Sequence, residues 1–142
     1  MTTELIEIKN FNGFGYQALV SHGAWRVAVL RYLDELKIEN IHTMERHTGT
    51  DEVFILTFGK AMLILGGNDN RISDFHAVTM NIGEIYNVKK NTWHTVIMSK
   101  DAHIIIVEND DTNNDNSETC LLTELIYREI QLQGNQFLHL ES

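Results

Sequence analysis

Short apolar runs separated by turn-forming residues dominate the first 108 positions of the chain. The runs are rich in Val, Ile, Leu and Phe, and groups of Gly, Asn and Asp stand between them, for example at 48–49 and 66–70. Proline is absent, so these small and polar residues must form the turns. Short strands at such spacing are typical of an all-β sandwich or barrel. The pattern predicts strands at roughly residues 4–9, 16–20, 24–33, 43–47, 52–58, 60–66, 72–80, 84–88, 93–98 and 102–108.

The end of the chain follows a different period. Four apolar residues have helical spacing there: Leu122, Leu125, Ile126 and Ile130. Thr123 is a suitable N-cap, and Gly134 is a suitable stop signal, so we predict a helix over about residues 123–133. A polar loop at about 109–120 would connect it to a barrel at about 1–108. We expect one domain over residues 1–142.

Two histidines and two glutamates are candidate metal ligands. His47 ends one predicted strand, Glu52 opens the next, and His94 lies near the start of a third. Because side chains alternate faces along a strand, Glu45 points to the same side as His47. Imidazole nitrogen and carboxylate oxygen together suit Zn, Fe, Mn, Ni or Co, and such a set leaves positions for water or substrate. The sequence therefore predicts an open site for a divalent transition metal.

The positions that share a face with these ligands are mostly apolar. They predict a dry interior able to hold one small ligand, lined by Phe54, Leu56, Phe58, Leu65, Val96 and Met98. Arg26 lies inside an apolar run, and it needs a carboxylate or an anionic ligand if it points inward, so we include it in the pocket. A divalent cation would satisfy several buried Glu and His groups together. Ion pairs with Arg46 or Lys90 are the alternative interpretation of the carboxylates.

Composition limits the partners and the location. The formal net charge is −9, which disfavours binding to phosphate backbones or anionic lipid, so we expect no nucleic acid and no membrane partner. The apolar runs are much shorter than the roughly 20 residues of a membrane helix. Cys120 is the single cysteine, and the first residues carry acidic groups where a secretory signal has basic ones. A cytoplasmic location is the resulting expectation.

The spacing of the candidate ligands resembles that of the cupins, a family with two motifs, G-x5-H-x-H-x3,4-E-x6-G and G-x5-P-x-G-x2-H-x3-N. Residues 45–52, followed by Gly59, are similar to the core of the first motif, and residues 83–94 are similar to the second. The resemblance implies a double-stranded β-helix, which is a jelly-roll barrel, with the C-terminal helix peripheral to it. It also implies that His47, Glu52 and His94 are metal ligands, with Glu45 in the fourth place, where a histidine is usual.

The sequence departs from the motifs at several positions. Glu39 and Lys89 stand where glycine and proline are usual, and Met98 stands in the place of the final asparagine. Asn91 replaces a glycine, but asparagine tolerates positive φ, so the turn before His94 can still form. At the fourth ligand place, Glu45 could coordinate metal, act as a base, or mark a weakened site.

These observations leave two main functional hypotheses. In the first, a metal-binding cupin acts on a small sugar-like or organic-acid-like molecule as an isomerase, a lyase or, with iron, a dioxygenase, and Glu45 or Glu52 moves a proton. In the second, the barrel is a non-catalytic ligand-binding or sensing module. A packed structural barrel is a third, weaker alternative, because metal-ligand residues suit a silent core poorly. We also expect a homodimer formed through a strand edge or the C-terminal helix.

Overall fold

A computed structural model describes residues 5–139. Within this range, alternating and buried apolar positions form ten strands followed by one α-helix. The strands are β1 (Gly15–His22), β2 (Trp25–Arg31), β3 (Thr43–His47), β4 (Glu52–Phe58), β5 (Ala61–Leu65), β6 (His76–Thr79), β7 (Ile85–Val88), β8 (His94–Met98), β9 (His103–Asn109) and β10 (Ser117–Leu121). The helix is α1 (Glu124–Leu138), and three short 3-10 turns lie at Asp34–Leu36, Ile38–Asn40 and Asn114–Asn116.

The strands form two five-stranded antiparallel sheets. The first has the order β1-β2-β9-β4-β7, and the second has the order β10-β3-β8-β5-β6. Apolar side chains from the inner faces of both sheets make one core, which includes Phe54, Leu63, Val96 and Ile104. Most successive strands therefore cross between two facing sheets, which is the jelly-roll arrangement that the cupin resemblance implies.

A second core lies on the outer face of the second sheet. Met44, Ile64 and Ile97 alternate with the inward residues of their strands and pack with Trp93 and Ile130. This explains why β5 is a continuous apolar run, since both of its faces are covered. The helix lies outside the barrel, as the cupin resemblance implies, but it also closes this second core.

The helix begins as predicted and ends later. Thr123 is the N-cap, and its hydroxyl oxygen accepts a hydrogen bond from the Ile126 backbone N–H at 3.2 Å. Gly134 is wrong as a stop signal because it lies inside the helix. A Cβ at this position would be 2.2 Å from Ile38 Cδ1 and 2.8 Å from Ile97 Cδ1. The glycine allows close packing of the helix on the sheet.

Two further expectations are wrong. Residues 5–9 of the predicted first strand form no strand and are exposed, while residue 4 lies outside the described range. In contrast, β10 forms within the stretch predicted as a polar loop. It is an edge strand paired with β3 alone among the described strands, and it has no fully buried residue, so its apolar pattern is weak.

Turn geometry supports the two motif-like segments. Gly59 has φ +79°, and a Cβ there would lie 2.7 Å from Ala102 Cα, so this turn requires glycine. Asn91 has φ 68°, which confirms that asparagine supplies the turn before His94. No helix among residues 5–139 is long and apolar enough to cross a membrane.

Candidate metal centre

Strand positions bring the four predicted ligands to one end of the barrel. Glu45 and His47 share the inner face of β3, and His94 opens β8 directly opposite Glu45 in the antiparallel register. Glu52 opens β4 on the facing sheet. His47, Glu52 and His94 are buried, whereas Glu45 is exposed. The parity argument from the sequence is consistent with this arrangement.

The side chains meet at the Glu52 carboxylate. Glu52 Oε1 is 2.9 Å from His94 Nε2 and 3.2 Å from His47 Nε2. Glu45 Oε1 is 3.5 Å from His47 Nε2. The two imidazole centroids are 5.7 Å apart, and the rings are steeply inclined to each other. Both Nε2 atoms and two carboxylates therefore converge on one small region.

The other nitrogen of each imidazole has a partner of its own. His94 Nδ1–H donates to the backbone carbonyl of Thr92 at 2.9 Å, since a carbonyl can only accept. His47 Nδ1 is 2.8 Å from the hydroxyl of Ser117 on β10. Hydrogen bonds of this kind fix ring orientation and leave the Nε2 lone pair for a metal ion. Ser117 is a supporting residue that the sequence did not indicate.

The contacts within the cluster shift the pKa values of His47, His94 and Glu52. Burial disfavours the charged imidazoles, but the hydrogen bonds and the negative charge of Glu52 outweigh it and raise the pKa of His47 and of His94. Burial also opposes ionisation of Glu52, yet its hydrogen bonds with both histidines lower its pKa to about 2. Without a metal, these contacts therefore stabilise the ionised form of the Glu52 carboxylate between the two imidazoles.

The donor set fits a divalent metal ion. Two overlapping groups each have ligand atoms within 4.8 Å of one another: Glu45, His47 and His94 in one, and His47, Glu52 and Glu108 in the other. Imidazole nitrogen with carboxylate oxygen suits first-row transition metals. In addition, Glu108 Oε1 is buried without a hydrogen-bond partner among the described residues. A cation would provide that missing partner.

The cluster borders a cavity of about 510 Å³. This volume is within the usual range for small-molecule sites. Of the predicted pocket residues, Arg26, Phe54 and Val96 line the cavity. Its lining also includes several hydroxyl and amide side chains: Thr43, Thr95, Thr112, Asn113, Asn114 and Ser117.

The other predicted pocket residues do not line this cavity. Leu56, Leu65 and Met98 pack in the core between the sheets instead. The prediction that Phe58 points into the pocket is wrong, because this residue is 60% exposed and lies on the outer face of the sheet. The register of β4 against β9 shifts between Leu56 and Phe58, so a bulge interrupts the alternation that would have turned Phe58 inward.

The alternative ion pairs do not involve the cluster. Arg46 lies on the opposite face of β3, where it pairs with Glu118 at 3.2 Å and covers the Trp93 ring at 4.3 Å. The Lys90 backbone N–H donates to Asp51. Neither cation contacts Glu45 or Glu52 in the described contacts, so the carboxylates have imidazole partners instead.

Sequence reasoning missed several polar residues that line the cavity, among them Glu108 and Tyr16. Glu108 is buried on β9, and Tyr16 on β1 donates its hydroxyl proton to Glu108 Oε2. The carboxylate is also the partner that Arg26 requires, at 2.9 Å from its Nη2. The sequence does contain a pattern that could have indicated Glu108. Ile104, Ile106 and Glu108 share one face of β9, and this row of apolar residues with one polar member also occurs on β4 and β8.

Comparisons with known proteins identify the fold. No protein-family model matches the chain, and no curated protein matches its sequence. Pac13 from Streptomyces, described as a unique nucleoside dehydratase, matches with a TM-score of 0.56 and 12% identity over 82% of this chain and 87% of that chain. A cupin-2 domain protein from Shewanella frigidimarina matches with a TM-score of 0.51 and 19% identity over 70% and 84%. The chain therefore has the cupin fold.

Proposed function

We propose that the chain is a metal-dependent enzyme with a cupin fold that performs proton-transfer chemistry, of the isomerase or lyase type, on a small polar molecule. The observation that carries this proposal is the convergence of His47 Nε2 and His94 Nε2 on the Glu52 carboxylate at 3.2 and 2.9 Å. The Nδ1 partners of both rings support it, because they orient Nε2 toward the same region.

Four side chains are proposed to hold the ion: Glu45, His47, Glu52 and His94. A divalent transition metal bound there would act as a Lewis acid on a substrate oxygen. Glu52 is buried and bonded to both histidines, so its role is to anchor them and to supply negative charge. These groups lie at one side of the cavity and leave the remaining space for a substrate.

Glu45 is also the proposed proton-transfer group, through the carboxylate oxygen that does not hold the ion. Its side chain is 54% exposed, so a substrate in the cavity can reach it, unlike the enclosed Glu52. General acid–base catalysis requires such a group within reach of the reacting atom. The hydroxyl and amide side chains that line the cavity, among them Thr43 and Asn113, would orient a polyhydroxylated or similarly polar substrate. The fold similarity to a nucleoside dehydratase is compatible with lyase chemistry.

The metal assignment is tested by elemental analysis of the purified protein. We expect near-stoichiometric metal in the wild type, and its loss in both His47→Ala and His94→Ala. His76→Ala is the matched control, because this exposed histidine pairs with Asp74 outside the cavity. Metal-free wild-type protein, even after incubation with Zn²⁺, Mn²⁺ or Fe²⁺, would contradict the proposal. Iron as the resident metal would direct the reaction assignment toward dioxygenase chemistry.

A non-catalytic ligand-binding module is the second candidate. It is favoured by the fact that Glu52 is already paired with both histidines, so the cluster is largely satisfied without an ion. The two candidates are separated by NMR in D₂O with a panel of sugars, nucleosides and small organic acids. Deuterium incorporation that Glu45→Gln abolishes supports the enzyme, whereas binding without exchange supports the module.

We further propose that the chain forms a homodimer. Strands β1, β7, β6 and β10 lie at the ends of their sheets, and such edges favour pairing with another chain. The helix also exposes Leu125 and Leu132. Light scattering at micromolar concentration should return twice the mass of one chain, and a monomer would contradict this proposal.

A further inference from the structure

Glu108 is a buried acid in the cavity that neither motif of the sequence includes. Its side chain is 2% exposed. All of its hydrogen bonds fall on one oxygen: Oε2 accepts from the Tyr16 hydroxyl at 2.5 Å, from Arg26 Nη2 at 2.9 Å and from Arg26 Nε at 3.3 Å. Oε1 has no hydrogen-bond partner among the described residues and lies 3.9 Å from His47 Nε2. The carboxylate is thus held at one end and unsatisfied at the end that faces the cluster.

An ion pair with Arg26 does not explain this arrangement by itself. Arg26 and Glu108 are opposite each other in the β2–β9 register, and Arg26 contacts only Oε2 of the carboxylate. The ion pair therefore gives no reason for the buried position of Oε1. A buried carboxylate oxygen without a partner is unfavourable, and native structures rarely leave one without an ion or a water molecule. Oε1 is 3.9 Å from His47 Nε2, and a carboxylate oxygen of Glu108 lies within 4.8 Å of ligand atoms of His47 and Glu52. This position indicates that the partner of Glu108 is shared with those residues.

We infer that Glu108 is a further ligand of the metal ion, and that Arg26 and Tyr16 are positioning residues which aim its carboxylate at the site. This inference rests on the proposed function. Arg26 is itself fixed, since its guanidinium also donates to the backbone carbonyls of Asp110 and Thr112 at 3.1 Å. Outer hydrogen bonds of this kind orient ligating carboxylates in metal sites.

Charge balance supports the same inference. Glu45, Glu52 and Glu108 bring three negative charges to the cavity, and Arg26 is the one cationic Lys or Arg side chain among its lining residues. When His47 and His94 are neutral, as metal ligation requires, a divalent cation together with the guanidinium balances these carboxylates. Without such an ion, Glu52 and Glu108 repel each other in a buried setting, which is unfavourable.

The test is titration of the metal-stripped protein with Co²⁺. Calorimetry measures the affinity, and the visible absorption of the bound ion reports its ligands. Glu108→Gln should lower the Co²⁺ affinity by about 10-fold or more and change the absorption spectrum, because one ligand is lost. Glu118→Gln is the matched control, since Glu118 is also paired with an arginine, Arg46, but lies outside the cavity. Its affinity and spectrum should equal those of the wild type.

Glu108→Asp is a second variant, in case the loss of charge beside Arg26 prevents folding. It keeps the charge but shortens the side chain by one methylene, so the affinity should again fall by about 10-fold or more. A folded Glu108→Gln or Glu108→Asp variant with wild-type affinity and spectrum would overturn the inference while leaving the proposed function intact. Wild-type protein that binds no Co²⁺ would instead contradict the proposed function and this inference with it.

Discussion

Replacement of Glu52 by glutamine should destabilise the metal-free protein strongly. The variant keeps the size of the side chain but removes the charge that both His47 and His94 contact. A carboxyl pKa lowered from 4.5 to about 2 corresponds to about 3 kcal/mol of stabilisation at pH values above both. Breaking a buried ion pair from one side has a similar cost, about 3–5 kcal/mol.

A neighbouring carboxylate moderates this loss. The pKa of Glu108 is raised by burial and then by the negative charge of Glu52, so Glu52→Gln also removes a repulsion. We therefore expect a net loss near the lower value, about 3 kcal/mol, or about 10 °C in the unfolding midpoint of a chain of this length. Thermal unfolding in the presence of EDTA measures it, with Glu118→Gln as the exposed control.

The loss should depend on pH in a defined direction. Because the folded pKa of Glu52 is lowered, its contribution is present above pH 4.5 and disappears as the pH falls toward about 2. Because the pKa of His47 and of His94 is raised, their contribution is complete below pH 6.5 and disappears as the pH rises through the folded values. The difference in unfolding midpoint between wild type and Glu52→Gln should thus be largest between pH 4.5 and 6.5. Equal midpoints within this window would refute the described contacts.

Three further outcomes follow from the structure. Mn²⁺ or Zn²⁺ should raise the unfolding midpoint, because a metal concentration of 100 times the dissociation constant adds about 2.7 kcal/mol of stability. An unchanged midpoint in the wild type would count against the site. Gly134→Ala should destabilise the protein by about 1–3 kcal/mol, because the added Cβ meets Ile38 and Ile97, and this cost exceeds the gain in helix propensity. Chemical denaturation measures the loss, and Gln136→Ala, at an exposed position of the same helix, is the control that should be nearly neutral. Asn91→Ala should lower stability by about 1 kcal/mol, whereas Asn91→Gly should not, and equal losses would show that positive φ is not the cause.

The sequence was sufficient to predict the barrel and the convergence of its candidate ligands. Alternation along a strand is a local property, so parity places Glu45 and His47 on one face of their strand, and Glu52 and His94 each on the apolar face of theirs. Their meeting at one end follows from the position of each residue at or near a strand end. Motif spacing added the two-sheet arrangement that brings those ends together.

The errors have identifiable physical causes. Phe58 was misplaced because a bulge depends on the register with β9, which the sequence of β4 does not reveal. Strand β10 was missed because an exposed edge strand needs no apolar alternation. Gly134 resembles a helix stop, but it is required because Ile38 and Ile97, which are distant in sequence, occupy the space of a side chain. Glu108 lies outside both motifs, and its pairing with Arg26 depends on strand order.

The central claim is that the four side chains and the further acid surround one metal ion. The most direct test is a crystal structure of the purified protein with anomalous diffraction data collected at the absorption edge of the metal found by elemental analysis. We predict a single strong peak at bonding distance, about 2.0–2.2 Å, from His47 Nε2, His94 Nε2 and one carboxylate oxygen each of Glu45, Glu52 and Glu108. A metal peak elsewhere, or no peak while these side chains remain within hydrogen-bond distance of one another, would contradict the account.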